Sequence, residues 1–299
     1  MSHHHHHGAG DSLDPAHATT DVDWDELAPL LERQAALQGP MYAQAAAWIG
    51  EQLPAAAVRR VLDIGSGPGV ISCLLAEAFP YAEVVAVDGT PALLDQARAR
   101  AERTGLGDRV RTHVAELPGG IEDLGEADLI WAGNSLHHLG DQRAALAGFA
   151  RLLRPGGLLA LVEGGLPPRH LPRDIGIGRP GLEGRLEAAN TAWFEEMRAA
   201  LPGARTEIED WRALLSAVGL TPTVTRTFLL DVPAPVTAPV REHLVSAFSW
   251  QRKALGDRLE ADDAAVLERL LDPDDKDGLM HRPDCFLLAA RTVHTARRG

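Results

Sequence analysis

Cysteine is nearly absent: Cys73 and Cys285 are the only two in 299 residues, which excludes a disulfide framework. Both fall in apolar stretches, the setting of buried thiols. No apolar run approaches the roughly 20 residues needed to span a bilayer, and no apolar signal core follows a basic flank at the N-terminus. These absences predict a cytoplasmic protein without a membrane segment. No Lys/Arg cluster offsets a formal net charge of -13, so a phosphate backbone would be repelled and nucleic acid is excluded as a partner. No arrangement of His, Cys and carboxylates has metal-ligand spacing within the folded part, so no metal site is expected.

What is present is an ordinary globular composition, with 45% hydrophobic and 24% charged residues, enough to build a sizeable core. The opening MSHHHHHGAG is an expression tag or a natural His-rich tail, and residues 1–20 are expected to be disordered. Residues 21–57 show apolar positions at helical spacing, broken by Pro29, Gly39 and Pro40, with Asp23 or Asp25 as a cap. This predicts a helical cap of two or three short helices ahead of the core.

From 58 onward strands and helices alternate. RRVLDI, YAEVVAVD, RVRTHVAEL, ADLIWAGNSL and LLALVEGG read as strands, and the segments between them carry helical period. Right-handed crossovers then give a doubly wound α/β fold with a mainly parallel sheet over 59–165. The alternation breaks at Gly165, where a Pro/Arg/Gly-rich stretch begins. Helical insertions are expected at about 165–207 and 236–280, with late strands around 221–232 and 285–293.

Ligands of an open parallel sheet bind beyond the carboxyl ends of its strands. There stands DIGSGPG, with Asp63, Gly65, Ser66 and Gly67, where glycines let a ligand approach main-chain N–H groups. Asp88 ends the second strand, 19 residues after Gly69, and a carboxylate there can accept from both hydroxyls of a ribose. The additional acid Asp63 decides which nucleoside. It would repel a pyrophosphate, but suits the ammonium of an amino-acid tail.

VLDIGSGPG, VVAVDGT, VAEL, NSLHHL and RLLRPGGLLALVE resemble, in order and spacing, the successive motifs of class I S-adenosylmethionine-dependent methyltransferases. The resemblance covers 59–165 and implies a Rossmann-like seven-stranded sheet with an antiparallel last strand. It implies S-adenosylmethionine as cofactor and S-adenosylhomocysteine as product. Asp63, Gly65, Ser66 and Gly67 would cradle the methionine part, and Asp88 with Gly89 and Thr90 the ribose. Ala115, Glu116 and Leu117 would meet the adenine, although Glu116 stands where Asp is commoner. Asn134 and Ser135 would border cofactor and acceptor, and Tyr42 and Arg33 belong to a region that folds over the cofactor in this family.

His137 and His138 follow the fourth strand and are candidate bases, since a neutral imidazole deprotonates a hydroxyl or amine; packing is the competing role. Glu163, Arg179, Trp193 and Trp250 are candidate acceptor contacts. Arg169, Arg173, Arg179 and Arg185 give the insertion a local positive excess that would hold a carboxylate, unless it is an ordinary solvated loop. Trp193, Phe194, Phe248 and Trp250 would roof the pocket or pack in the core.

The expected function is methyl transfer to a small molecule, either a carboxylate-bearing acceptor or a natural-product intermediate, by a monomer or homodimer. The alternatives are a cofactor-binding regulatory protein without turnover and a nicotinamide-dependent oxidoreductase. Replacing Asp88 by Ala is expected to weaken S-adenosylmethionine binding by about 1–3 kcal/mol through lost charge-assisted hydrogen bonds. Calorimetry checks this, and unchanged affinity would remove Asp88 from the site.

Overall fold

The computed structural model describes residues 24–299, with side chains from Glu32 onward, so the His-rich run and the Asp23 cap lie outside the described residues. In chain order it comprises α1 (Trp24–Gln52), β1 (Arg60–Ile64), α2 (Val70–Ala78), β2 (Glu83–Asp88), α3 (Pro91–Arg103), β3 (Val110–Val114), β4 (Ala127–Gly133), α4 (Gln142–Leu152), β5 (Leu153–Arg169), α5 (Leu182–Ala200), α6 (Trp211–Ala217), β6 (Leu220–Val232), α7 (Ala238–Leu255), α8 (Ala261–Leu271) and β7 (Leu287–Arg298). The seven strands form one sheet in the order β3-β2-β1-β4-β5-β7-β6. Strands β1 to β5 pair in parallel, and β7 pairs antiparallel with both β5 and β6.

Burial explains the strand sequences. The central strand β1, RVLDI, is covered on both faces and is apolar almost throughout, whereas the edge strand β3, VRTHV, leaves polar residues to solvent. Alternate residues of each strand serve two separate cores. Val61, Leu129, Trp131 and Val162 pack under α1, α2 and the inserted helices, while Leu62, Ile130 and Leu161 pack under α4 and α6. Helix starts follow local chemistry: Asp141 accepts from the Ala144 amide at 2.8 Å and Asp210 from that of Ala213 at 3.0 Å. Pro91 opens α3, where its missing N–H costs nothing.

Two expectations are corrected. The residues before the core form one continuous helix, α1, not two or three. Gly39 and Pro40 do not break it, because its face carrying Gln38, Met41, Tyr42, Ala45 and Ile49 is buried against the sheet and α2. Apolar burial along that face outweighs the roughly 3 kcal/mol that an interior proline costs a helix. Strand β5 does not stop at Gly165 but continues to Arg169, pairing with β7 through register shifts at 162/165 and 166/169. Glycines at 164 and 165 read as an end, yet their positive φ accommodates the irregularity.

The end of the first insertion is fastened to the core at the loop before α4. Arg198 of α5 donates to the carbonyls of His137 and Leu139, Arg205 donates its backbone N–H to Gly140 O at 3.0 Å, and Arg143 meets Glu207 bidentately. Gly140 is what lets the chain pass: a Cβ there would lie 2.2 Å from the carbonyl oxygen of Pro202. Gly140→Ala is therefore expected to cost about 1–3 kcal/mol by overpacking. Thermal unfolding checks it, through a Tm lowered by several degrees; an unchanged Tm would mean that 202–204 is not seated on this loop.

Candidate active site at the carboxyl ends of the strands

The sheet reverses direction of growth between β1 and β4, and the loops after β1, β2, β3 and β4 converge at that point. The loop 65–69 folds back on β2: the amides of Gly65 and Ser66 donate to Val87 O at 2.8 and 3.0 Å. Gly65, with φ +72°, packs so closely that a Cβ would lie 2.5 Å from the Cβ of Ser135, whereas a Cβ on Gly67 would meet nothing within 4 Å. The bare main chain around Gly67 thus faces open space, while Gly65 and Gly69 are pinned from behind.

Asp88 braces this loop. Its carboxylate accepts from the amide of Gly67 at 2.9 Å and from that of Thr90 at 2.9 Å, which leaves lone pairs on both oxygens for a ligand. Gly89 lies beside Ala115 and Glu116. Ala115 is buried, Leu117 half-buried and Glu116 exposed at the rim. Ser66 is 7% exposed, and its hydroxyl has no hydrogen-bond partner. An orphaned hydroxyl in an open cradle is a ready contact for a polar ligand.

Asp63 lies beneath the loop rather than in its mouth. It is 2% exposed and accepts from the Ser72 hydroxyl at 2.5 Å. Burial raises its carboxyl to about 7; the Ser72 hydrogen bond opposes the rise and the nearby Asp88 adds to it.

After β4 the backbone of Asn134 adopts φ 51°, rare for a residue other than glycine, and its side-chain Nδ2 donates to the Tyr42 hydroxyl at 2.9 Å. Tyr42 stands on α1 with its ring edge-on to Trp131 at 6.0 Å. Burial raises its hydroxyl pKa, and Arg291, which hydrogen-bonds to it, works in the opposite direction. Arg33, in contrast, reaches Ser246 on α7 at 3.0 Å.

Glu163, at the end of β5, is buried and takes two hydrogen bonds, from the Leu136 amide at 3.0 Å and from His137 Nδ1 at 2.9 Å. A proton held on Nδ1 by this carboxylate leaves the lone pair of His137 on Nε2. His138 stacks on His137 at 4.2 Å between ring centroids, and burial with the adjacent His137 and Arg198 lowers its pKa to about 4. It is neutral at pH 7.

The proposed acceptor contacts separate. Trp250 lines a cavity between α1, α5 and α7, and Trp193 packs edge-on against it at 5.8 Å. Arg179 is corrected: it is turned away, paired with Glu260 and lying 3.5 Å from Asp263 at the start of α8, while Arg185 grips Asp263 bidentately at 2.7 and 2.8 Å. Arg169 pairs with Glu187. The arginine-rich loop is thus held by carboxylates of the helical insertions, because acids crowd the first turn of α8, where they also suit the helix dipole. Sequence reasoning missed Arg291, whose signal is an arginine at an inward position of β7, between the buried Ala289 and Val293.

A methyltransferase-domain family model matches residues 62–159. Trans-aconitate 2-methyltransferase of Methylobacterium nodulans is 30% identical over 256 residues, a match spanning 81% of this chain and 90% of the relative. The protein of that name from Methylobacterium radiotolerans is 33% identical over 175 residues, 54% of this chain, and the match spans 63% of its length. The solved structure of mitomycin 7-O-methyltransferase superposes with a TM-score of 0.50 at 18% identity, over 96% of this chain and 61% of that one, a likeness of fold. The chain belongs to the class I S-adenosylmethionine-dependent methyltransferases.

The raised carboxyl of Asp63 sets a pH dependence. Its folded value lies above its unfolded one, so its contribution to stability is full below about pH 4 and is lost as pH rises through 7. Asp63→Asn keeps an acceptor for Ser72 and cannot ionise. Melts at pH 5 and pH 8 are expected to show a smaller fall in Tm for this variant than for the parent chain; equal falls would remove Asp63 from the response.

Proposed function

We propose that the protein transfers the methyl group of S-adenosylmethionine to a small carboxylate-bearing acceptor. The cofactor, when bound, supplies an electrophilic methyl on its sulfonium. Ser66 and the open main chain at Gly67 suit the polar methionine end, and the two free lone pairs of Asp88 suit the ribose hydroxyls. Ala115, Glu116 and Leu117 form the rim for the base, with Asn134 and Ser135 between cofactor and acceptor. The orphaned Ser66 hydroxyl and the space above Gly67 support this fit. Asp63, buried beneath, acts on an ammonium only through the loop or a water molecule.

The observation that carries the choice of acceptor is Arg291. Its guanidinium is half-buried beside Tyr42, its Nε is buried without a partner, and the one carbonyl it reaches is Ala290 O at 3.1 Å. A buried donor left open costs about 1–3 kcal/mol, and a bidentate carboxylate answers it. In register Arg291 pairs with Gly165, two residues beyond Glu163, which supports a position at the mouth where the methyl would emerge. The trans-aconitate methyltransferases among its relatives point to the same acceptor chemistry.

A carboxylate is already ionised at neutral pH, so its methylation needs alignment and no base. The Glu163–His137 pair favours a second reading, a hydroxyl acceptor deprotonated at His137 Nε2. One experiment separates them: assay di- and tricarboxylates, trans-aconitate included, against matched hydroxyl compounds by S-adenosylhomocysteine release. Carboxylates are expected to turn over, with Arg291→Met raising KM about thirtyfold, equivalent to about 2 kcal/mol of charge-assisted bonding, and His137→Gln leaving kcat within about threefold. Turnover of hydroxyl compounds alone, abolished in His137→Gln, would overturn the carboxylate reading.

A further inference from the structure

Above the Arg291 cluster lies a cavity of about 230 Å³ that the motifs of the cofactor site do not reach. It is adjacent by construction. Gln38 in its wall stands one helical turn before Tyr42 on α1, and Leu287 in its wall stands four residues before Arg291 on β7, roughly 13 Å along the strand.

The wall holds two histidines, each with one ring nitrogen that finds no hydrogen-bond partner among the described residues. His170 is 5% exposed, and its Nδ1 meets Glu183 at 3.0 Å, while its Nε2 is buried and unpartnered. His243, on α7, is 6% exposed, with Nδ1 buried and unpartnered. Glu183 is fully engaged, accepting also from the amides of His170 and Leu171. The other charged groups of the wall, Arg169 and Glu187, are paired with each other. What remains for a ligand is the two open ring nitrogens, the amides of Gln34, Gln38, Asn190 and Gln251, and the indole of Trp250.

The geometry points to a second acceptor subsite that takes a neutral hydrogen-bonding group, a hydroxyl or a carboxamide, at the end of the acceptor remote from the methylated carboxylate. This rests on the carboxylate reading of the site. Two buried ring nitrogens without partners, one just after β5 and one on α7, match a group that both donates and accepts. Among the described lining residues an anion finds no unpaired guanidinium, because Arg169 is neutralised by Glu187, and burial, with His170 and Arg33 nearby, lowers the His243 pKa to about 4. An aliphatic end would leave both nitrogens unsatisfied, the larger loss in a site built for hydrogen bonds.

The test uses the whole chain with S-adenosylhomocysteine and straight-chain carboxylic acids of six and eight carbons ending in methyl, hydroxyl, carboxamide or a second carboxylate. Calorimetry is expected to show the hydroxyl- or carboxamide-ended acid binding at least tenfold tighter than the methyl-ended and dicarboxylic ones. His243→Leu should reduce that preference to less than threefold, and Gln38→Leu serves as a second variant should His243→Leu not fold. Equal binding of all four ends, preference for the dicarboxylate, or a preference intact in the folded variants would overturn the subsite. Methyl transfer is read separately on the same acids. Preferential binding without transfer would sink the carboxylate acceptor and keep the subsite, whereas transfer without end-group preference would do the reverse.

Discussion

The packing that fixes the site sets bare main chain against one small side chain. Gly65, at the end of β1, and Ser135, after β4, occupy space that a single methyl group would overfill. Everything functional in the molecule is referred to this contact, because it brings the loops of two adjacent parallel strands to one point with only the Ser135 side chain between them. Behind it stand the Val87 carbonyl and the Asp88 carboxylate, which take the amides of the loop and hold it open. The Asn134 backbone, forced to positive φ just before Ser135, belongs to the same squeeze.

Around that fixed point the acceptor side is assembled from parts far apart in the chain. Tyr42 comes from the first helix, Glu163 from β5 and Arg291 from the last strand. They meet because β7 is inserted beside β5 and because α1 lies across the same face. The inserted helices complete the enclosure, and their ion pairs, Arg185 with Asp263 above all, join one insertion to the other rather than to a ligand. The arginines of the insertions thus serve enclosure, which leaves the proposed recognition to Arg291.

This division explains what the sequence disclosed. The βα alternation, the glycine turn and the acid after β2 are local signals, each set by residues within a few positions, and they were readable from 59 to 165. Two glycines in β5 imitate a stop, and Gly39 and Pro40 in α1 imitate a break; in both cases long-range packing outweighs a local preference. Arg179 attracted attention by its charged neighbourhood, yet a carboxylate 81 positions away claims it. Arg291, His170 and His243 carry no local motif. Their meaning lies in a missing hydrogen bond, which only the folded surroundings reveal.

The placement of β7 between β5 and β6 has a consequence for biogenesis. An elongating chain on the ribosome can assemble β1 to β5 as their segments emerge, but β6 has no neighbour until the strand made after it slots in. Residues 220–232 therefore wait through some fifty codons with an unpaired ladder on both sides, and that interval is the window in which a nascent chain most needs a chaperone.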